Sequence, residues 1–261
     1  MKADKKEFKI EMNQSGIRRT LKKFEKKNIV KRMWDKDTSV WKKGESYKEL
    51  INNRLGWMSL PVSMSGNCDE INTFAEDLRD NGFTDAVVMG MGGSSMCPEV
   101  CRNTFGIKKG FLNLHILDTT DPLTILKIEE SIDIDKTIFI VSSKSGTTIE
   151  VDSFFRYFFD KVKKTKGDEA GNHFAAVTDP GTYLETLAKE NKFRKVFINP
   201  ADIGGRYSAL SYFGLVPAAL TGVDIKLLLN NAESMMERCM LVSSEKNPGL
   251  MLGTIISELA L

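Results

Sequence analysis

Residues 85–95 read D-A-V-V-M-G-M-G-G-S-S, an apolar run that breaks into glycines and serines. A short apolar stretch bounded in this way is the pattern of a buried strand entering a tight turn. The same rhythm recurs at 112–117 (L-N-L-H-I-L), 136–142 (K-T-I-F-I-V-S), 173–178 (H-F-A-A-V-T) and 194–199 (R-K-V-F-I-N). Such near-continuous apolar strands suit a sheet covered on both faces. The segments 122–132, 147–164 and 181–191 are long enough to be crossover helices. The alternation predicts an α/β fold, a five-stranded parallel sheet with helices on both faces. Helical patterns at 44–55 and 67–81 precede the sheet, and others at 208–221, 225–241 and 248–261 follow it.

The chain has 261 residues, 41% hydrophobic and 28% charged, and a mean hydropathy of −0.23. That is enough for one large domain, or for one domain with a helical extension. Cys68, Cys97, Cys101 and Cys239 are too sparse for a disulfide framework, and no pair has C-x2-C spacing. With His115 and His173 as the only histidines, a histidine-based zinc cage and metalloprotease chemistry are excluded. A reducing cytoplasm is the expected setting. The longest uncharged stretch, 207–223, is interrupted by Ser208, Ser211, Gly214, Pro217 and Gly222, and it falls short of the roughly 20 apolar residues of a membrane span. The opening M-K-A-D-K-K-E-F-K has no apolar signal core.

Charge is uneven. Residues 1–50 hold 16 Lys/Arg and 8 Asp/Glu, so a segment of +8 sits in a chain of +2 and leaves −6 for the remainder. Without any nucleic-acid-binding motif beside it, the basic start reads as a solvated helical arm or linker, the alternative being a nucleic-acid or acidic-partner patch. The chain is expected to become globular near residue 33, where Trp34 and Trp41 flank D-K-D-T-S-V and Asp37 or Thr38 caps or turns the backbone.

Ligands of open α/β sheets bind beyond the carboxyl ends of the strands, and three loops there carry chemistry. Gly90–Ser95, G-M-G-G-S-S, has glycines that let backbone approach an anion at a helix N-terminus. A dinucleotide site fits it poorly. Ser95 stands at the third glycine position, and the strand-two acid Asp118 lies 28 residues past Gly90, where roughly 20 is usual. A purely structural glycine turn is the other alternative. Ser142–Glu150, S-S-K-S-G-T-T-I-E, sets the hydroxyls of Ser143, Ser145, Thr147 and Thr148 beside Lys144 where a helix should begin. Several donors and a cation suit a phosphomonoester dianion, whereas simple N-capping accounts for one hydroxyl. Asp202–Ser208, D-I-G-G-R-Y-S, holds Arg206 behind two glycines. It is either a cationic fork for a developing oxyanion or half of a surface ion pair.

These loops together resemble the sugar isomerase (SIS) domain, specifically the N-terminal half of the phosphoglucose isomerase family. G-M-G-G-S-S-M-C-P is similar to the family's first glycine-serine loop, S-K-S-G-T-T-I-E to its phosphate loop and G-G-R-Y-S to its catalytic-arginine signature. The similarity runs from about Trp34 through Leu261. K-R-M-W-D-K-D-T-S-V-W and N-R-L-G-W resemble the start of the isomerase part of bacterial transaldolase–isomerase fusions. The resemblance implies a flavodoxin-like sheet with an N-terminal helical extension over 1–82, a sugar-phosphate-binding SIS domain over 83–223, and C-terminal helices over 224–261 leading to a second SIS domain.

It also implies roles. Ser94, Ser143, Lys144, Ser145 and Thr148 would hold the 6-phosphate, Thr147 would complete the loop, and Gly93 would let the chain approach the sugar. Arg206 would stabilise the cis-enediolate formed as a proton moves between C1 and C2, and Glu150 would orient. Neither metal nor organic cofactor is implied. The partner is glucose 6-phosphate or fructose 6-phosphate, not nucleic acid or membrane. The family keeps its proton-transferring glutamate, ring-opening histidine and a further lysine in the second SIS domain. The final E-L-A-L carries no helix stop signal. The chain is therefore expected to end before that domain, to bind sugar phosphate, and to isomerise poorly alone. It should associate with a second SIS domain or with itself. The alternative is a non-catalytic sugar-phosphate-binding SIS module.

Other residues read as structure. Cys97 and Cys101 share a helix face as packing residues, His115 and His173 are satisfied internally, and Phe154, Phe155, Phe158 and Phe159 face the core. Asp118, Thr119, Thr120 and Asp121 follow strand two and are a candidate part of the pocket wall.

Overall fold

Each of the five apolar runs forms a strand, and each intervening segment forms a helix in the computed structural model, which describes residues 14–260. In chain order the elements are α1 (Gln14–Lys26), α2 (Ile29–Trp34), α3 (Glu45–Asn52), α4 (Leu60–Ser63), α5 (Cys68–Asp80), β1 (Asp85–Gly90), α6 (Gly93–Phe105), β2 (Asn113–Leu117), α7 (Pro122–Ser131), β3 (Thr137–Ser142), α8 (Ile149–Lys166), β4 (Phe174–Thr178), α9 (Tyr183–Glu190), β5 (Lys195–Ile198), α10 (Tyr212–Leu220), α11 (Ile225–Cys239) and α12 (Pro248–Leu259). The strands are all parallel, in the order β2-β1-β3-β4-β5. This is the α/β architecture expected from the sequence.

The period of two sorts the strand residues between two cores. Ala86, Val88, Ile138, Ile140, Ala175 and Val177 face α5, α6 and α10 through Ile71, Phe74, Cys101, Phe213 and Val216. Val87, Met89, Phe139, Val141, Phe174 and Ala176 face α8 and α9 through Phe154, Phe155, Phe158 and Leu184. The second core is aromatic. The Phe174 ring lies 5.1 Å from Phe139 and 5.6 Å from Phe155, the latter edge-on, a geometry favoured by the ring quadrupoles. Emptying such a site costs about 3–5 kcal/mol. Phe159 is partly buried against this core.

Contacts group the described residues into two compact units, Glu49–Ala232 and, separately, residues 14–48 with residues 233–260. This grouping runs along other lines than 1–82, 83–223 and 224–261, because α5 packs on the sheet and the first helices pack with the last. In the smaller unit Ile17 and Leu21 of α1 are buried, Thr20 Oγ1 donates to Glu258 Oε1 at 2.7 Å, and Trp34 Nε1 donates to the Cys239 carbonyl at 3.1 Å. Packing thus begins in α1, earlier than the expected onset near residue 33. The amphipathic pair Ile17 and Leu21 is masked in sequence by the lysines and arginines around it. The first 13 residues of the basic arm lie outside the described residues. Asp37 does act as the local cap, accepting from the Ser39 amide at 3.0 Å.

Candidate functional site

Gly90 at the end of β1 pairs with Ser142 at the end of β3, so the two loops leave the sheet side by side. The chain after β1 passes through α6 on one face, and the chain after β3 through α8 on the other. A doubly wound sheet has its crevice at such a switch point. A cavity of about 400 Å³ opens there, lined by Met91, Gly93 and Ser94 of the first loop and Ser142, Ser143, Lys144, Ser145 and Thr148 of the second. Asp179, Gly205 and Arg54 complete the wall.

Gly93 admits no side chain. A Cβ there would stand 2.0 Å from the Gly205 carbonyl oxygen, which already accepts from Ser208 Oγ at 2.8 Å. The glycine thus seats the start of α6 against the 3-10 turn Gly205–Leu210, and Ser94 lies buried in the first turn of α6.

The hydroxyls of the second loop organise one another. Ser143 Oγ and Thr148 Oγ1 share a hydrogen bond of 3.0 Å, the Gly146 amide donates to Ser143 Oγ at 3.1 Å, and the Thr147 amide donates to Ser145 Oγ at 3.3 Å. Gly146 has φ 68°, a conformation that glycine adopts without strain. Thr148 occupies the N-cap of α8, yet its side chain makes no capping hydrogen bond because it is turned to Ser143. Simple capping therefore does not describe this loop. The first-turn amides of the 18-residue helix α8 are left without a side-chain acceptor from the cap residue, and they carry the positive end of its dipole.

Lys144 Nζ pairs with the Asp179 carboxylate and also donates to the Ala201 carbonyl at 3.0 Å. Asn199 Nδ2 reaches Asp179 Oδ1 at 3.4 Å and the Pro200 carbonyl at 2.9 Å. Burial pushes the Asp179 carboxyl above the ordinary carboxylate range, with Lys144 and Asn199 pulling the other way. One polar chain thus ties together the ends of β3, β4 and β5.

Gly93, Ser94, Ser143, Lys144, Ser145 and Thr148, all read from sequence, meet around one cavity. Thr147 and Glu150 flank it without lining it: Thr147 is exposed and Glu150 sits half-buried in the first turn of α8. Arg206 is exposed on the 3-10 turn, where its neighbour Gly205, rather than Arg206 itself, forms the wall. The loop after β2 is a correction. Asp118–Asp121 does not line this cavity; Asp121 caps α7 by accepting from the Thr124 amide at 2.8 Å, and Thr120 lines a separate cavity with Phe154 and Tyr157 of α8. Sequence reasoning missed Asp179 and Arg54. Asp179 had a signal, an acid followed by Pro180 and Gly181 just past a strand. Arg54 stood only within the family-like stretch N-R-L-G-W, with nothing local to mark it as a wall residue, because its position depends on a contact with residues 202–207.

Among the described residues no helix is long and apolar enough to cross a membrane, and no three His, Cys, Asp or Glu side chains gather as a metal cage would need. His115 Nε2 lies 3.0 Å from Asp85 Oδ1, and His173 Nδ1 lies 3.0 Å from the Thr137 carbonyl. The two cysteines four apart on α6 have sulfurs 3.9 Å apart, with Cys101 buried.

Fold and site define a doubly wound α/β protein with a hydroxyl-rich cleft at its switch point. The family model described as phosphoglucose isomerase matches residues 67–258, and the chain belongs to that family. Glucose-6-phosphate isomerase of Carboxydothermus hydrogenoformans is 33% identical over 204 residues, covering 74% of this chain and 44% of that protein. The chain spans about half the length of the curated relatives it matches. Among solved structures, a hypothetical protein from Thermus thermophilus aligns with a TM-score of 0.78 and 28% identity, covering 93% of this chain and 55% of that one. Glucose-6-phosphate isomerase from Chlamydia trachomatis aligns with a TM-score of 0.64 and 25% identity, covering 72% of this chain and 36% of that one.

Proposed function

We propose that residues 83–223 bind the phosphate of glucose 6-phosphate and fructose 6-phosphate and contribute to their interconversion. The observation that carries this reading is the cavity at the β1–β3 switch point, where Ser94, Ser143, Ser145, Thr148 and the α8 N-terminus converge. A dianion there gains several donors and a helix dipole together. Thr147 closes the loop, Gly93 sets the approach of backbone to sugar, and Glu150 orients the first turn of α8. Arg206, one residue beyond the wall, supplies the guanidinium that stabilises the enediolate oxyanion.

Proton transfer between C1 and C2 needs a base within hydrogen-bond reach. Asp179 is the carboxylate of the wall, and its engagement with Lys144 and Asn199 suits positioning rather than proton abstraction. The base in this reading comes from a second SIS domain, which makes that domain, or a second copy of this chain, the partner. A cytoplasmic setting belongs to the same reading and is consistent with four free cysteines. A second reading, a sugar-phosphate-binding module without turnover, draws support from the position of Arg206 outside the wall.

A coupled assay of glucose 6-phosphate and fructose 6-phosphate interconversion on the purified chain, with Arg206→Ala as control, separates the two readings. Isomerase function predicts low turnover that rises when a second SIS domain is added and that the control abolishes. Saturable binding of fructose 6-phosphate with no turnover under either condition would establish the module.

A further inference from the structure

The wall of the cavity contains a second cation that the phosphate reading leaves unused. Arg54 follows α3, and its Nη1 donates to the Leu50 carbonyl at 2.8 Å. A guanidinium carries five N–H donors, so this bond engages one arm of the exposed head and leaves the other donors for other acceptors. Among the described residues no carboxylate forms an ion pair with Arg54, whereas Lys144, the other cation of the wall, is matched by Asp179.

The backbone next to Arg54 is held at the site. Leu55 bridges to Ile203, the Gly56 amide donates to the Asp202 carbonyl at 2.9 Å, and the Trp57 ring stacks on Tyr207 with centroids 5.3 Å apart. Gly56 gives the Asp202 side chain its room, since a Cβ there would lie 2.2 Å from Asp202 Oδ1. The segment 54–57 is thereby clamped to the loop that carries Arg206, and the Arg54 stem lies against Gly204.

Position then decides what Arg54 can touch. Gly146 of the hydroxyl loop packs against Thr182, beyond β4, whereas Gly205 packs against Gly93 at the start of α6, beyond β1. Gly205 directly precedes Arg206, the residue that the proposed function sets against the enediolate oxygens of the sugar. Arg54 belongs to the Gly205 side. With a phosphate held by the hydroxyl loop, as the proposed function has it, the atoms that reach Arg54 are the oxygens at the far end of the sugar. Two parallel guanidinium donors match two vicinal oxygens, which an ammonium cannot do.

We propose that Arg54 recognises vicinal oxygens of the sugar end of a bound phosphosugar, and so separates sugar phosphates from phosphate alone. The test is calorimetric titration of the whole chain and its Arg54→Gln and Arg54→Lys variants with fructose 6-phosphate and, separately, with inorganic phosphate. Arg54→Gln is expected to weaken fructose 6-phosphate about tenfold while inorganic phosphate changes less than about twofold, with Arg54→Lys in between. An unchanged affinity for fructose 6-phosphate, or an equal loss for both ligands, overturns the proposal. Thermal midpoints measured in parallel report any structural loss, and if Arg54→Gln does not fold, Arg54→Lys, which keeps a donor near Leu50, decides by the same ratio. Failure of the wild-type chain to bind fructose 6-phosphate removes the proposed function and this inference with it. Wild-type binding with an unaltered variant removes this inference alone.

Discussion

The two ends of the sheet are both polar, and they use polarity differently. Toward the amino ends of the strands, Thr84 Oγ1 donates to Asp85 Oδ2 at 2.8 Å, Asp85 meets His115 at 3.0 Å, and Thr137 Oγ1 donates to the Asp133 carbonyl at 2.7 Å. His173 joins them through the Thr137 carbonyl. These groups are engaged with one another. At the carboxyl ends the polar residues are arranged around about 400 Å³ of open space, with glycines where backbone must come close. Paired polar groups tell of structure, whereas convergent ones around a cavity tell of a site.

The largest effect is expected from breaking the carboxyl end at its tightest point. Gly93→Ala places a Cβ 2.0 Å from a backbone oxygen that cannot rotate away. Chemical denaturation should show a loss of about 2–4 kcal/mol, and fructose 6-phosphate titration a loss of affinity. Lys144→Met comes next. It leaves the Asp179 carboxyl without its cation, and phosphosugar affinity is expected to fall by about tenfold or more. Infrared titration of the carboxyl band should show Asp179 moving further up, because burial then acts with less opposition.

At the amino end the expected effects fall on stability alone. Burial holds His173 below its ordinary value of 6.5, against a smaller pull from the Thr137 carbonyl. A histidine depressed in the fold contributes stability that is full above the unfolded pKa and lost as pH falls through the folded one. Urea midpoints should therefore decline on acidification below about pH 6.5. His173→Gln should reduce that decline and leave phosphosugar affinity unchanged. The smallest stability effect belongs to Ser145→Ala. Ser145 is exposed, so stability should stay within about 0.5 kcal/mol, while the dissociation constant rises a few-fold.

The same contrast explains what could be read from sequence. Strands such as I-F-I-V over 138–141 are apolar on both sides, so their identity and class were evident without tertiary information. The hydroxyl loop 143–148 was legible because its donors are contiguous in the chain. Arg54 was not, since its approach to the cavity depends on the Leu55–Ile203 bridge and on Gly56 yielding space to Asp202. The buried face of α1 was hidden for a similar reason. Ile17 and Leu21 are two apolar residues among many charges, and Thr20 of the same helix meets Glu258 near the other end of the chain.

Whether the carboxyl end of the sheet is a phosphosugar site and the amino end is scaffold comes down to one calorimetric comparison. Fructose 6-phosphate is titrated into the wild-type chain, a Ser143→Ala/Ser145→Ala variant and a His173→Gln variant. Saturable one-to-one binding is expected for the wild type and for His173→Gln, with affinity about tenfold lower or worse in the serine variant. Equal affinities in all three, or no saturable binding by the wild type, would overturn that division of the sheet.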